Sequence, residues 1–511
     1  MKVLQILGIA LFFLLLLTAI ASFVLSIYES VKLVKDRREK VPHMEYINKI
    51  LIYCGCFTGS FTFMLFAIFL MRDITPLWYE ALKAAIGGLV FGASISFGTS
   101  SFIIHYYGKN LPSDLDKKLF RWLVASVAVC FISFVVAIDA FADYGGDNFL
   151  LPKGISFTKG LVRPDSSDGA NIAFYAVCII SGAVFVYFLC DHLFYKKYGK
   201  HGLLESTFFI AFPSGIIGAR IAYVIGNWNV EFKGREFWHV FAIWEGGLTI
   251  LGGAIAGIVV GVLWFMHVNK GKSIFHAVDV IVPTILIAQA VGRWGNFFNC
   301  EVHGIQMSIE SWSWLPRLIV NNSRYSSVNG WADPGMMYVP LFLIECATNL
   351  FGYFVLAHLF GIKFKNITKE GDLAFGYIVW YGLTRTFMEP LRDKGFNMGS
   401  NGYWSWLWSI IFIAAGVIAI VVNHIVRNIL AKKKNEFVTN RFSDYLGGAI
   451  ALAIGISLIV GGAIMMSNSS FSSKIQFDTF NIGIILLVLG GSIVVGTSIP
   501  ISQIVMSYAN A

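Results

Sequence analysis

Two short segments concentrate the side chains that could do chemistry. The first, Gly292-Arg293-Trp294-Gly295-Asn296-Phe297-Phe298-Asn299-Cys300-Glu301-Val302-His303-Gly304, closes a long apolar run. If a helix persists through it, Arg293, Phe297 and Glu301 share one face with Asn296 beside them. A guanidinium, an amide and a carboxylate then converge. That set suits a phosphate gripped bidentately by Arg293, with Asn296 donating and Glu301 orienting the arginine or accepting hydroxyls. A structural Arg–Glu pair fits the same residues. The second segment spaces Tyr381, Arg385, Glu389 and Arg392 at i, i+4, i+8 and i+11, so that all four fall within an arc of about 80° on one helical face. It reads either as an intrahelical ion-pair ladder or as a cationic stripe turned toward protein or water, because a ladder facing lipid is too costly. A further arginine, Arg220 in Gly218-Ala219-Arg220-Ile221-Ala222-Tyr223, suits a structural tie as well as a ligand.

These arginines lie where an arginine is expensive. Of 511 residues 56% are hydrophobic and only 14% charged, against about a quarter charged in an ordinary water-soluble chain. A soluble enzyme is thereby excluded. The excess of Lys+Arg 39 over Asp+Glu 30 sits in short loops rather than on one soluble face, which excludes a nucleic-acid partner. An arginine at bilayer depth costs at least roughly 2.5–3.5 kcal/mol and is retained only with a partner or a wet cavity. Arg220, Arg293 and Arg385 are therefore functional candidates.

The elements that must position them are membrane helices. Apolar runs long enough to span a bilayer recur near residues 3–27, 50–71, 80–106, 120–142, 171–193, 205–226, 247–267, 275–298, 337–361, 372–389, 404–426, 445–466 and 478–507. The expected fold is all-α, a polytopic helical membrane protein of about thirteen spans. Lys and Arg concentrate in loops 28–49, 107–122, 194–201, 267–274, 362–371 and 427–444, while the opposite loops carry about half as many. The positive-inside rule then puts the N-terminus outside, the C-terminus in the cytoplasm and the ends bearing both arginine clusters outside. The run at 3–27 reads as a retained span: it is longer than a signal-peptide core, and cleavage would deliver the most basic loop to the outside. Four N-terminal spans form an extension over 1–143, two more a C-terminal extension over 445–511.

The cysteines at 54, 56, 130, 178, 190, 300 and 346 are odd in number and mostly inside apolar runs, so they read as packing residues rather than a disulfide or metal framework. Glycines in Gly246-Gly247-Leu248-Thr249-Ile250-Leu251-Gly252-Gly253, with Gly257 and Gly261, suit close helix packing. An outer arm over 300–336 holds Trp312, Trp314, Arg317 and Trp331, which seats it on the outer leaflet or over a lipid site. In the extensions Asp139 and Lys83 stand out as charges at membrane depth with no assigned role.

The motifs together resemble the bacterial prolipoprotein diacylglyceryl transferase family. The residues that carry the likeness are 292–304, preceded by Asp279, Pro283 and Gln289, with FYAVCIISG (174–182), GARIAYVIGNW (218–228), IWEGGLTILGG (243–253) and YGLTRTFMEPLRD (381–393) in the family's order. The likeness covers about 171–427 and implies a seven-helix transferase core. It also implies transfer of the diacylglyceryl unit of phosphatidylglycerol to the lipobox cysteine of a lipoprotein precursor, forming a thioether and releasing glycerol phosphate at the outer face of the bacterial plasma membrane. The implied partners are phosphatidylglycerol, precursors with a lipobox signal peptide, and the bilayer. By the same likeness Arg293 matches the lipid-binding arginine, Arg385 the second essential one, Asn296, Glu301 and Gly304 the other signature positions, Tyr175 the tyrosine of the first core span, and Tyr381, Glu389 and Arg392 the later stripe.

The chemistry agrees with that implication. Breaking a C–O bond to phosphate builds charge on the leaving oxygens, which fixed cations stabilise. Arg293 and Arg385 suit this role, and the acceptor thiol, of pKa about 8.5, needs a base or a positive field. No cofactor is required and no metal-ligand spacing occurs. The chain departs from the family at Leu251 and Val339, where members carry a histidine or tyrosine and a histidine; of the second motif only Pro340 and Glu345 survive. The arginine field, Glu301 or Glu245 then remains to assist deprotonation, with His303 a further candidate and Asp279, Arg220 and Glu345 of structural or open role. A phospholipid or anion transporter, or an inactive lipid-binding relative, are the competing readings; the transporter would favour an internal repeat, and no second copy of 292–304 or 381–392 occurs.

Overall fold

The computed structural model describes residues 3–35, 43–71, 75–107, 113–142, 150–156, 160–167, 169–170, 172–233, 235–242, 247, 249–365, 368–393, 403–434, 442–468, 482–491 and 493–494. Its helices are α1 (Val3–Lys35), α2 (His43–Met71), α3 (Trp78–Tyr107), α4 (Ser113–Ala142), α5 (Phe174–Tyr198), α6 (Glu205–Asn227), α7 (Ile250–Val268), α8 (Ile274–Asn299), α9 (Arg317–Asn322), α10 (Leu341–Tyr353), α11 (Asp372–Met388), α12 (Tyr403–Lys434) and α13 (Phe442–Ser467). An apolar helix α14 (Ile482–Gly491) follows. Among the described residues each of the thirteen apolar segments contains helix, the last only over Ile482–Gly491. Among the described residues eight helices are long and apolar enough to cross a membrane. The largest sheet among them is a small antiparallel one of order β2-β1-β3, built from β1 (Gly154–Ser156), β2 (Gly160–Val162) and β3 (Ile172–Ala173).

The outward faces are apolar, as Ile255, Ile258, Leu263, Ile418 and Val422 illustrate, while many buried positions are small or polar. This inverts the soluble pattern and follows from a hydrocarbon solvent, in which helices associate through close packing and internal hydrogen bonds. The chain is a multi-pass helical membrane protein.

It divides into two compact units, residues 1–151 with 307–325 and 332–337, and residues 152–306 with 326–331 and 338–511. In the first, glycines bring α2, α3 and α4 together. A β-carbon on Gly92 would lie 3.0 Å from the Thr58 Cα, and one on Gly87 2.5 Å from the Ala137 nitrogen.

In the second unit α8 is central. Ser273 caps its start, accepting the His276 N–H at 3.3 Å. Cys300, at φ +52° and ψ +44°, ends it by donating its N–H to Asn296 and Phe297. Gly182 lets α5 approach Ala288 of α8. On another face, Phe297 of α8 stacks on Phe342 of α10 at 4.4 Å, with Trp294 edge-on to the same ring. Asp279 binds α8 to the start of α11: its carboxylate accepts the Gly371 N–H at 2.6 Å and the Ala374 N–H at 3.1 Å. Gly371 can serve there because its φ of +106° is closed to most side chains. Gly382 packs on Ser409 and Ile413 of α12.

Helices α6 and α7 interlock through Gly215, Gly218, Gly252 and Gly253, where an added β-carbon on Gly218 would collide with Ala256. Gly218→Leu should therefore destabilise the protein by about 1–3 kcal/mol, read as a lower melting temperature in a thermal-shift assay. An unchanged melting temperature would contradict this packing.

Candidate active site

Helices α8, α10 and α11 meet around one buried carboxylate. Glu345 on α10, only 4% exposed, stands among three guanidinium groups. Arg293 Nε of α8 lies 2.5 Å from Glu345 Oε2. Arg392 Nη2 donates to Oε1 at 3.1 Å, and Arg385 Nη1 of α11 is 3.7 Å from the same oxygen. Glu389 adds a second carboxylate, 3.7 Å from Arg385 and 3.9 Å from Arg392. Tyr381 receives the Arg385 Nε–H at 3.4 Å, with its ring under the guanidinium.

The charge count is unbalanced. Among the described residues three cations share two carboxylates, and two donors, Arg385 Nη1 and Arg392 Nε, are buried without a hydrogen-bond acceptor. A small recess opens beside Arg385, lined by Gln289 and Arg293 from α8, Glu345 and Asn349 from α10, and Tyr381 and Arg385 from α11. One surplus positive charge with unmet guanidinium donors suits a single anionic group such as a phosphodiester.

Local structure explains how Arg392 reaches this cluster. Glu389–Leu391 tighten into a 3-10 turn after α11, and Arg392 leaves it extended. Its main chain bridges antiparallel to Gly304. The Gly304 N–H bonds Val339 O at 2.9 Å, Val339 N–H bonds Ile305 O at 3.0 Å, and Ile305 N–H bonds Leu391 O at 2.9 Å. A β-carbon at Gly304 would sit 2.7 Å from Leu391 O, so only glycine fits. Gly304 is thus placed by main-chain pairing and close packing.

Tyr381, Arg385, Glu389 and Arg392 do come together, but not on one helical face: α11 ends at Met388, and Arg392 arrives from extended backbone beyond the 3-10 turn. The face expected to join Arg293 to Glu301 does not form, because α8 stops at Asn299 and Cys300 turns left-handed. Glu301 instead accepts the Asn299 side-chain amide at 3.1 Å, and the carboxylate paired with Arg293 is Glu345. Burial raises the Glu301 carboxyl above its ordinary value, with Asn299 and Lys153 opposing. Asn296 is buried one turn from Arg293, its carbonyl accepting the Glu301 N–H at 2.9 Å. Tyr175, at the start of α5, packs against Gly295 and lies within electrostatic reach of Glu301 and Arg293.

Other candidates fall outside the cluster. Arg220 is a structural tie: its guanidinium donates to the carbonyls of Val240 at 2.9 Å, Gly247 at 3.2 Å and His239 at 2.5 Å. Asp279 caps α11, as described. Glu245 lies outside the described residues. His303 is 1% exposed and lies against Tyr338, ring centroids 5.7 Å apart. Burial lowers its pKa from 6.5 to about 4, with Cys300 and Asp393 pulling upward.

Likeness to known proteins covers the segment that carries this cluster. Residues 166–422 match the family model "Prolipoprotein diacylglyceryl transferase". A phosphatidylglycerol–prolipoprotein diacylglyceryl transferase of Streptococcus suis is 34% identical over 252 residues, 49% of this chain and 88% of the relative. A relative of the same name from Clostridium novyi is 34% identical over 261 residues, 50% of this chain and 93% of its own length, and one from Streptococcus mutans is 33% identical over 251 residues, covering 49% and 90%. A polytopic membrane protein with an arginine-lined recess is the class this fold and site define. The chain belongs to the prolipoprotein diacylglyceryl transferase family.

Two outcomes follow from the geometry. Glu345→Gln leaves three guanidinium groups sharing one carboxylate, so the variant should melt lower than the parent, by about 3–5 kcal/mol of stability, and recover more on adding an anionic phospholipid; equal lipid responses would contradict the cluster's charge arithmetic. For His303 the folded pKa lies below the unfolded one, so its contribution is complete above pH 6.5 and is lost as pH falls toward 4. Up to about 3 kcal/mol of stability should vanish across that window, and a His303→Gln variant should show a correspondingly shallower fall in melting temperature.

Proposed function

We propose that the protein transfers the diacylglyceryl group of phosphatidylglycerol to the lipobox cysteine of lipoprotein precursors at the outer face of the bacterial plasma membrane. The observation that carries this reading is the buried arginine cluster with one surplus charge, in a chain of this family. In the reaction the precursor thiolate attacks the glycerol carbon, a C–S bond forms, the C–O bond to phosphate breaks and glycerol phosphate departs. The thiol loses its proton to a base, and the leaving group gains negative charge as a diester becomes a monoester. Surplus guanidinium donors meet that growing charge, which stabilises the transition state more than the bound lipid.

Arg293 and Arg385 grip the phosphate, Arg392 supports them, and Tyr381 and Glu389 hold Arg385 and Arg392. Asn296 and Tyr175 line the approach to the head group. Glu301, whose proton affinity is raised by burial, suits the base role that Leu251 and Val339 leave open. The transferase core spans about 171–427, with the N-terminus outside and the C-terminus cytoplasmic, so that the ends of α8 and α11 bearing the arginines face the outer leaflet.

The test is purified protein with phosphatidylglycerol and a synthetic lipobox peptide, followed by the peptide's mass. A diacylglyceryl mass gain is expected, absent from a Cys→Ser peptide and reduced by about 10²-fold or more in Arg293→Ala and Arg385→Ala. Lipid crossing the bilayer without peptide modification would favour a transporter instead.

A further inference from the structure

One helical turn from the arginine cluster lies an uncharged polar layer. Each helix that supplies a charged group to the cluster carries a hydrogen-bonding side chain four residues further from the helix end nearest the cluster. Gln289 follows this rule behind Arg293 on α8, Asn349 behind Glu345 on α10, and Tyr381 behind Arg385 on α11. Four residues make roughly one turn, about 6 Å along the axis, so the three side chains keep the faces of their charged neighbours. All of them line the same recess.

Most polar atoms of this layer are engaged within the protein. Tyr381 Oη accepts the Arg385 Nε–H, and the Thr384 hydroxyl donates to the Trp380 and Tyr381 carbonyls at 3.0 and 3.1 Å. Gln289 gives an amide hydrogen to Tyr377 Oη at 2.8 Å, which fixes its amide at the recess wall. Asn349 differs from these. It is 8% exposed and borders the recess, yet among the described residues its amide has no hydrogen-bond partner. A buried amide left unpaired is costly, and a ligand acceptor relieves that cost.

The depth of the layer selects the acceptor. From the water inward, phosphatidylglycerol offers head-group hydroxyls, then the phosphate, then two ester carbonyls, and beyond them hydrocarbon. The arginines take the phosphate. A layer one turn nearer the middle of the spans therefore meets the ester carbonyls, while the head-group hydroxyls lie on the far side of the phosphate, toward water. Ester carbonyls are neutral and only accept hydrogen bonds, so amide N–H groups complement them where a guanidinium is not needed.

We infer that Asn349, flanked by Gln289, binds an ester carbonyl of the diacylglyceryl group, an inference that rests on the transferase reading. The Asn349 amide donates to that carbonyl while Arg293 and Arg385 hold the phosphate. The glycerol carbon under attack lies between the two anchors, so its C–O bond keeps one orientation toward the incoming thiolate. The same contact retains the diacylglyceryl unit as glycerol phosphate leaves. A selectivity follows, because an ether lipid with the same head group and chains lacks the acceptor.

The test compares diacyl phosphatidylglycerol with its dialkyl ether counterpart, each added to the full-length protein in nanodiscs of a diether phosphatidylcholine, so that no other lipid ester is present. Modification of the lipobox peptide gives kcat/KM for each lipid, and the rise in melting temperature on adding each lipid reads binding without turnover. The parent should favour the ester lipid about five-fold in both readouts, the effect of one neutral hydrogen bond. Asn349→Leu, of similar volume, should bring the ester lipid down to the level of the ether lipid and keep the preference for phosphatidylglycerol over phosphatidylethanolamine. Because the substitution removes an unpaired buried amide, the variant should melt no lower than the parent before lipid is added. Equal use of the two lipids by the parent, a variant that keeps the ester preference or loses head-group selectivity instead, or a lower melting temperature without lipid would overturn the inference. A parent that modifies no peptide with either lipid would sink the transferase reading, and the binding ratio would still decide the ester contact.

Discussion

A carboxylate withdrawn from water among guanidinium groups is the constraint on which the core is organised. Isolated burial of Glu345 would cost several kcal/mol, and its partners repay that cost only if they are held at hydrogen-bonding distance. The helices that supply them must therefore be fixed in rotation and depth. Aromatic packing of Trp294 and Phe297 on Phe342 sets α8 against α10. The Asp279 cap sets α8 against α11 from far along both helices. Each device makes sense as a means of keeping cations around one anion in a medium that would otherwise expel all of them.

The same arrangement explains why the site is poised toward a ligand. A fully neutralised cluster would be a structural knot, indifferent to phosphate. Two carboxylates for three arginines leave the assembly incomplete, with unmet donors on Arg385, beside an open recess, and on Arg392. Structural and functional electrostatics are here one interaction seen with and without its last partner.

How much of this was legible in the chain depended on whether the signal was local. The helices were readable because an apolar run of membrane length can satisfy its main chain in hydrocarbon only by coiling on itself, and Arg293 and Arg385 were readable because a cation at that depth is too costly to be idle, an argument that also singled out Arg220, whose guanidinium proves to hold main-chain carbonyls. Glu345 was harder: it follows Leu341-Phe342-Leu343-Ile344 with no charged neighbour, and its meaning comes from α8 and α11, which are distant in sequence. Glu301 was placed on the wrong face because nothing local announces that a cysteine at position 300 will adopt the left-handed conformation usually left to glycine. The bond from Asp139 to Leu318 spans 179 residues, and no periodicity encodes a contact of that range. The burial of His303 was not legible because it is produced by strand-like pairing that brings segments 303–305, 338–339 and 391–393 together.

That pairing has an evolutionary consequence. Because the ends of the arm are fastened to each other at Gly304, Ile305 and Val339, the chain between them is a cassette whose length can change at small entropic cost, each doubling of a flexible loop adding only about 0.6 kcal/mol. New sequence can be grafted there without shifting the arginines. A membrane enzyme built this way can vary that segment while its main-chain fastening stays fixed.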